Sequence, residues 1–343
     1  PPARRPDRRR LACAYSTRRV SRPLVLRVVL VAAALLVVGR NLAFFAPGVR
    51  LDADQATVGL MAKHISEGRA FPVYFYGQSY LPALEAYAAA PLMWLLGPTE
   101  TALKLPVLAM NVLAAVLLVR TAQRDLQLAP PLALVGALPI VVPPFVPGTR
   151  LMEAMGGNVE TVLFTVLLWI VRSRPWAFGI VAAAALALRE LTVYPLAALL
   201  LLTAWHTGWR APSRPTVARW TLAAVLTVMA AAALAMLRPF GAMFGPGTVA
   251  RTVDHETTSA SVVAAQICLD PSRWPEHARQ LLREHLPILV GGFPSDVGLI
   301  GVSSGIGQGN PGMAAWVALL TAGALVAAIA GRRGEAAAPS GGA

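Results

Sequence analysis

Leu24-Val25-Leu26-Arg27-Val28-Val29-Leu30-Val31-Ala32-Ala33-Ala34-Leu35-Leu36-Val37-Val38-Gly39-Arg40 is a stretch no soluble surface helix carries, and its reading decides the fold. The apolar residues follow one another without the 3.6-residue alternation of an amphipathic helix, so every face is greasy. A bilayer core is about 30 Å thick, and a run of roughly 20 such residues crosses it while satisfying its own backbone hydrogen bonds. Arg40 sits near the far end, where its long stem can carry the charge out to the headgroups. The composition extends the same reading to the whole chain. Of 343 residues 56% are hydrophobic and 14% charged, against roughly 25% charged in soluble domains.

Similar runs recur near 101–119, 131–147, 158–171, 176–188, 191–207, 218–236 and 313–330, with the first at Leu24–Phe45. The pattern predicts an all-α integral membrane protein with about eight transmembrane helices. Pro139, Pro143 and Pro144 predict a bent or broken third span. The net charge of +13 raises nucleic acid as a partner, but the arginines stand in the wrong places for it. Arg4, Arg5, Arg8, Arg9, Arg10, Arg18, Arg19, Arg22 and Arg27 precede or open the first run. Others occupy short connectors: Arg120 and Arg124, Arg172 and Arg174, Arg210, Arg214 and Arg219, Arg332 and Arg333. That is the positive-inside pattern; it predicts both termini in the cytoplasm and membrane lipid, not nucleic acid, as the basic partner. The first run is too long, and its leader too extended, for a cleaved signal peptide. Cys13 and Cys268 fall on opposite sides and do not predict a disulfide.

The expected organisation is a basic, disordered cytoplasmic tail over 1–22 and a transmembrane module over 23–237 that includes an outer loop at 46–100. A second outer segment over 238–312 and a last span with its tail over 313–343 complete it. Loops that long commonly carry function.

In the first outer loop, Val58, Met61, Ala62 and Ile65 recur at i, i+3, i+4 and i+7, predicting an amphipathic helix that Gly68 ends. Asp52, three residues before Gln55, fits a capping box; Asp54 then stands in the first turn with its carboxylate free. Both acids could equally serve only to complement the helix N-terminus. Phe71-Pro72-Val73-Tyr74-Phe75-Tyr76-Gly77-Gln78-Ser79-Tyr80 reads as an aromatic loop, either an interfacial belt or a surface on which sugar rings stack beside Gln78 and Tyr80. Leu84–Leu96, with Glu85, Tyr87 and Trp94, reads as a helix dipping into the interface, and 275–286 as a further amphipathic helix.

Asp54-Gln55-Ala56, Gly59-Leu60-Met61-Ala62-Lys63-His64-Ile65, Glu67-Gly68-Arg69, Phe71-Pro72, Phe75-Tyr76-Gly77-Gln78 and Leu84-Glu85-Ala86-Tyr87 together resemble the first outer loop of GT-C membrane glycosyltransferases. Those proteins include the dolichyl-phosphate-mannose–protein mannosyltransferases and bacterial lipid-A and polysaccharide sugar transferases. A second stretch, Gly156-Gly157-Asn158-Val159-Glu160-Thr161, resembles their Gly-Gly-x-x-Glu-Thr. The likeness covers about residues 45–210. It implies an inverting transferase that moves a sugar from a polyprenyl-phosphate donor to a glycan, lipid or protein acceptor at the outer face of the bacterial cytoplasmic membrane. The superfamily's acidic motif is usually Asp-Glu; here Asp54 matches its catalytic Asp, Asp52 is a neighbouring candidate, and Gln55 replaces the Glu. The departure leaves open an active enzyme, an altered ion requirement or an inactive relative. Glu160 and Glu190 would hold donor or acceptor hydroxyls, and Arg189, then Lys63 and Arg150, the donor phosphate. Each of these also reads as an ordinary interfacial charge. Some relatives use a divalent cation and others none. His64, His206, His255, His277 and His285 show no metal-ligand spacing, and no phosphate-cradling Gly-rich loop is present. A lipid-linked-sugar flippase is the other function these features allow.

Overall fold

The computed structural model describes residues 22–46, 51–76, 81–189, 192–206, 222, 224–229, 232–233 and 271–280. They are all-helical, without a strand. Helix α1 covers Arg22–Asn41 and runs on into a 3-10 turn at Leu42–Phe45. After it come α2 (Ala53–Ser66), α3 (Leu84–Leu96), α4 (Glu100–Asp125), α5 (Pro130–Val141), α6 (Phe145–Arg150), α7 (Asn158–Val171), α8 (Pro175–Leu188) and α9 (Val193–His206). A separate short helix, α10, covers Trp274–Gln280.

Among the described residues two helical stretches, Pro23–Phe45 and Glu100–Asp125, are long and apolar enough to cross a membrane. The other apolar helices are shorter, α7 and α8 having 14 residues each. The third run breaks as its prolines predict: α5 ends at Val141, and Pro144 caps a separate α6. Only 222, 224–229 and 232–233 of the run near 218–236 are described, and these positions are helical. The runs near 1–21 and 313–330, and most of 238–312, lie outside the described residues.

Helix α4 is the hub, packing against α1, α3, α5 and α7. Its two halves serve different cores. The first half puts Ala102, Leu103 and Val107 into a cluster with Val58, Met61 and Ala62 of α2, Ala86, Ala89 and Met93 of α3, and Leu151 and Met152. The second half puts Ala115 and Val119 against Ala33 and Val37 of α1 and Ala133, Ala137 and Val141 of α5. Small residues at these contacts let helix backbones approach closely, which is how apolar helices gain packing energy where water supplies none.

Candidate functional site

Two short sequences build one end of the bundle. The first is the start of α2. Asp52 caps the helix, its Oδ1 accepting from the Gln55 backbone N–H at 2.8 Å. The cap expected from the spacing is therefore formed, with one difference. The Gln55 side chain does not turn back to the cap backbone; its Nε2 donates to Asp52 Oδ2 at 3.1 Å. Gln55 is buried because it faces α4, and its Oε1 accepts from Lys104 Nζ at 2.8 Å. Asp54 lies in the first turn, exposed, and forms no hydrogen bond among the described residues.

The second is the chain from Leu151 to Glu160. Residues 152, 154 and 156 bond in turn to three side chains of the preceding elements. The Met152 carbonyl accepts from Lys104 Nζ at 3.2 Å, Ala154 N–H donates to Gln55 Oε1 at 3.3 Å, and Gly156 N–H donates to Glu85 Oε2 at 2.6 Å. This seam stitches α2, α3 and α4 to the start of α7. Asn111, two turns along α4 from Lys104, ties down the beginning of the seam. It donates to the Leu151 carbonyl at 2.7 Å and accepts from Arg40 Nη2 at 2.9 Å.

The two glycines have a geometric reason. Gly156 has φ +83° and Gly157 φ +85°, a region costly for any residue with a Cβ. A Cβ on Gly156 would also lie 2.9 Å from Leu81 Cδ2, and one on Gly157 2.8 Å from Arg189 Cδ. Gly157 caps α7. Three residues on, Glu160 points inward and is 1% exposed, beside Glu85 at 3%. The two carboxyl groups lie within hydrogen-bonding reach, with Arg189 close enough to act on Glu85 electrostatically. Burial first, then the facing Glu160, holds the Glu85 carboxyl well above the usual carboxylate range, against the opposing pull of the Gly156 N–H and Arg189. Glu85 Oε1 and both oxygens of Glu160 have no donor.

The structure thus joins Asp52, Gln55 and Lys104 in one cluster and Glu85, Glu160 and Arg189 in another. Glu160 is no interfacial charge: Arg150 pairs instead with Glu153 at 2.9 Å, while Glu160 is sealed inside. Lys63 stands apart, 42% exposed and 4.0 Å from Glu67. Gln78, Tyr80 and Glu190 lie outside the described residues. Val73–Tyr76, within the aromatic loop, and Leu81–Ala83, just after it, pair through Phe75 N–H to Leu81 O at 2.8 Å and Ala83 N–H to Val73 O at 3.0 Å. Tyr76 also meets His64 Nδ1 at 2.9 Å.

Lys104 and the burial of Glu85 are what sequence reasoning missed. A lone lysine one turn into an apolar helix was the available signal, because a charge there must find partners inside. Among the described residues no three His, Cys, Asp or Glu side chains converge as a metal site. No protein-family model, curated protein or solved structure matches this chain.

Proposed function

We propose that the chain is a membrane-embedded, inverting glycosyltransferase of the GT-C type, taking a sugar from a polyprenyl-phosphate donor at the outer face of a bacterial cytoplasmic membrane. The observation that carries this reading is the free, exposed Asp54 carboxylate on a helix turn whose neighbours are locked. Asp52 and Gln55 are held by each other and by Lys104, so Asp54 is the one acid of that turn left to act on a ligand. The two motifs that carry the family resemblance, far apart in sequence, also meet along the 152–156 seam.

In the reaction Asp54 takes the proton from an acceptor hydroxyl, a general-base role for a carboxylate in hydrogen-bond reach. The acceptor oxygen attacks the anomeric carbon from the face opposite the phosphate. The bond from that carbon to the phosphate oxygen breaks, and polyprenyl phosphate leaves with the electron pair. Arg189, partly exposed, serves the phosphate, while Glu160, sealed inside, does not reach the sugar. Gln55, standing where relatives carry Glu, keeps Lys104 partnered without adding a charge. Among the described residues a divalent cation would find one free carboxylate there, Asp54, too few for a site made by protein alone.

The test is transfer from a panel of radiolabelled polyprenyl-phosphate sugars by the full chain and its Asp54→Asn variant. The substitution is expected to lower transfer by at least about 100-fold, the lower range for general-base catalysis, with expression retained. Equal turnover by both proteins removes Asp54 from this role. A second reading, a lipid-linked-sugar flippase, is favoured by one observation, the Arg40–Asn111 pair set between two long apolar helices. Movement of labelled lipid-linked sugar across vesicles without transfer would select it.

A further inference from the structure

Three oxygens of the Glu85–Glu160 pair point at no donor, yet both side chains are sealed from solvent. Two ionised carboxylates in that position would repel each other in a low-dielectric interior, each without a compensating hydrogen bond. One proton removes the conflict. Placed on Glu85 Oε1, it donates to a Glu160 oxygen and partners two of the three orphans at once. Glu85 Oε2 keeps its bond from Gly156 N–H, and the pair carries a single negative charge facing the single positive charge of Arg189. We propose that Glu85 holds a proton and donates it in a hydrogen bond to the Glu160 carboxylate, and that Glu85 is thereby a positioning residue, locking the Gly156-Gly157 turn and the inward aim of Glu160.

The surroundings favour a proton over a metal ion. The nearest backbone group is an N–H, a donor, and Arg189 is a cation; neither is a ligand a hard cation would accept. The charged groups that act on Glu85 are Glu160 on α7, Arg189 at the end of α8 and Lys104 on α4. Helix α2 packs on α3 with Val58, Met61 and Ala62, and its buried polar side chain, Gln55, is neutral.

The inference goes beyond the transferase reading and needs no substrate to test. Glu85 and Glu160 are the two buried carboxyl groups among the described residues. Infrared spectra of the full chain in lipid nanodiscs, titrated in water and in D2O, should show the carbonyl band of a protonated carboxylic acid persisting at neutral pH. Glu85→Gln should remove that band. Its amide oxygen can accept from Gly156 and its NH2 donate to Glu160, so the variant should stay folded, whereas Glu85→Ala should not reach wild-type thermal stability. For wild type, the folding equilibrium constant should fall up to tenfold per pH unit above the ordinary glutamate range, where folded Glu85 still keeps the proton that the unfolded chain has released. In Glu85→Gln that dependence should flatten. Absence of the band from wild type at neutral pH overturns the proposal without any variant. So does a band that survives in both Glu85→Gln and Glu160→Gln.

Discussion

The two ends of the α4 helix hold their charges in opposite ways. At its C-terminal end, Asp125 accepts from Arg124 Nε at 2.6 Å, Trp169 Nε1 at 2.8 Å and Arg172 Nη1 at 2.6 Å. The arginines there are half exposed, and Arg172 lies 4.9 Å over the Trp169 ring. Every carboxylate oxygen at that end has a donor. At the N-terminal end Lys104 and Glu85 are buried, Glu160 faces Glu85, and three oxygens have none. A satisfied, solvent-washed cluster fastens two helix ends; a sealed cluster whose carboxylate oxygens lack donors is costly to bury. Unsatisfied buried polar groups gather where proteins bind or react. The difference marks the Lys104 end as the place to look for chemistry.

Substitutions that remove one member from each end test this contrast. The largest effect is expected from Lys104→Ala, which strips the bonds to Gln55 and Met152 and leaves a cavity; about 3 kcal/mol is the scale for losing charge-assisted hydrogen bonds in the interior. Lys104→Met, which restores the stem without the charge, separates the cavity from the bonds. Thermal or denaturant unfolding in nanodiscs measures both. Gly156→Ala comes next, at about 2 kcal/mol, from a Cβ forced into a left-handed backbone and from contact with Leu81; increased proteolysis at the 151–157 turn would accompany it. Arg172→Ala, at the exposed end, should cost below about 1 kcal/mol, because a surface ion pair contributes little and Asp125 keeps its other donors. If Arg172→Ala proved more damaging than Lys104→Ala, the contrast between the ends would be wrong. The pH dependence sharpens it further. A group whose folded affinity for protons is raised stabilises less as pH climbs, so wild type should lose up to about 1.4 kcal/mol per pH unit through that window. Glu85→Gln should lose much less.

Much of this was legible from local pattern. The i, i+3, i+4, i+7 stripe of α2 is the face that the structure buries, with Val58, Met61 and Ala62 inside. Asp52 and Gln55 were recognisable as a cap because a cap spans three residues. The break after α5 followed from proline chemistry. Asp54 was recognisable as a free carboxylate once Asp52 was taken by the cap. The clusters were not legible, since Lys104 meets Gln55 from 49 residues away and Glu85 meets Gly156 from 71. Spacing rules act over a turn or two of helix and carry no information about which helix lies alongside.

What the amino-acid order alone determined is therefore what short-range physics controls: apolar runs that must be helices, a cap, a proline break and the glycine, Gly68, that ends α2. Which charges end up facing one another was decided by tertiary packing. Helix α4 packs against both α3 and α7, and that arrangement brings Glu85 to Glu160 and turns two unremarkable glutamates into one sealed pair. Burial, not identity, gives those side chains their chemistry, because a carboxylate in water and the same group without water differ in whether they can keep a charge at all.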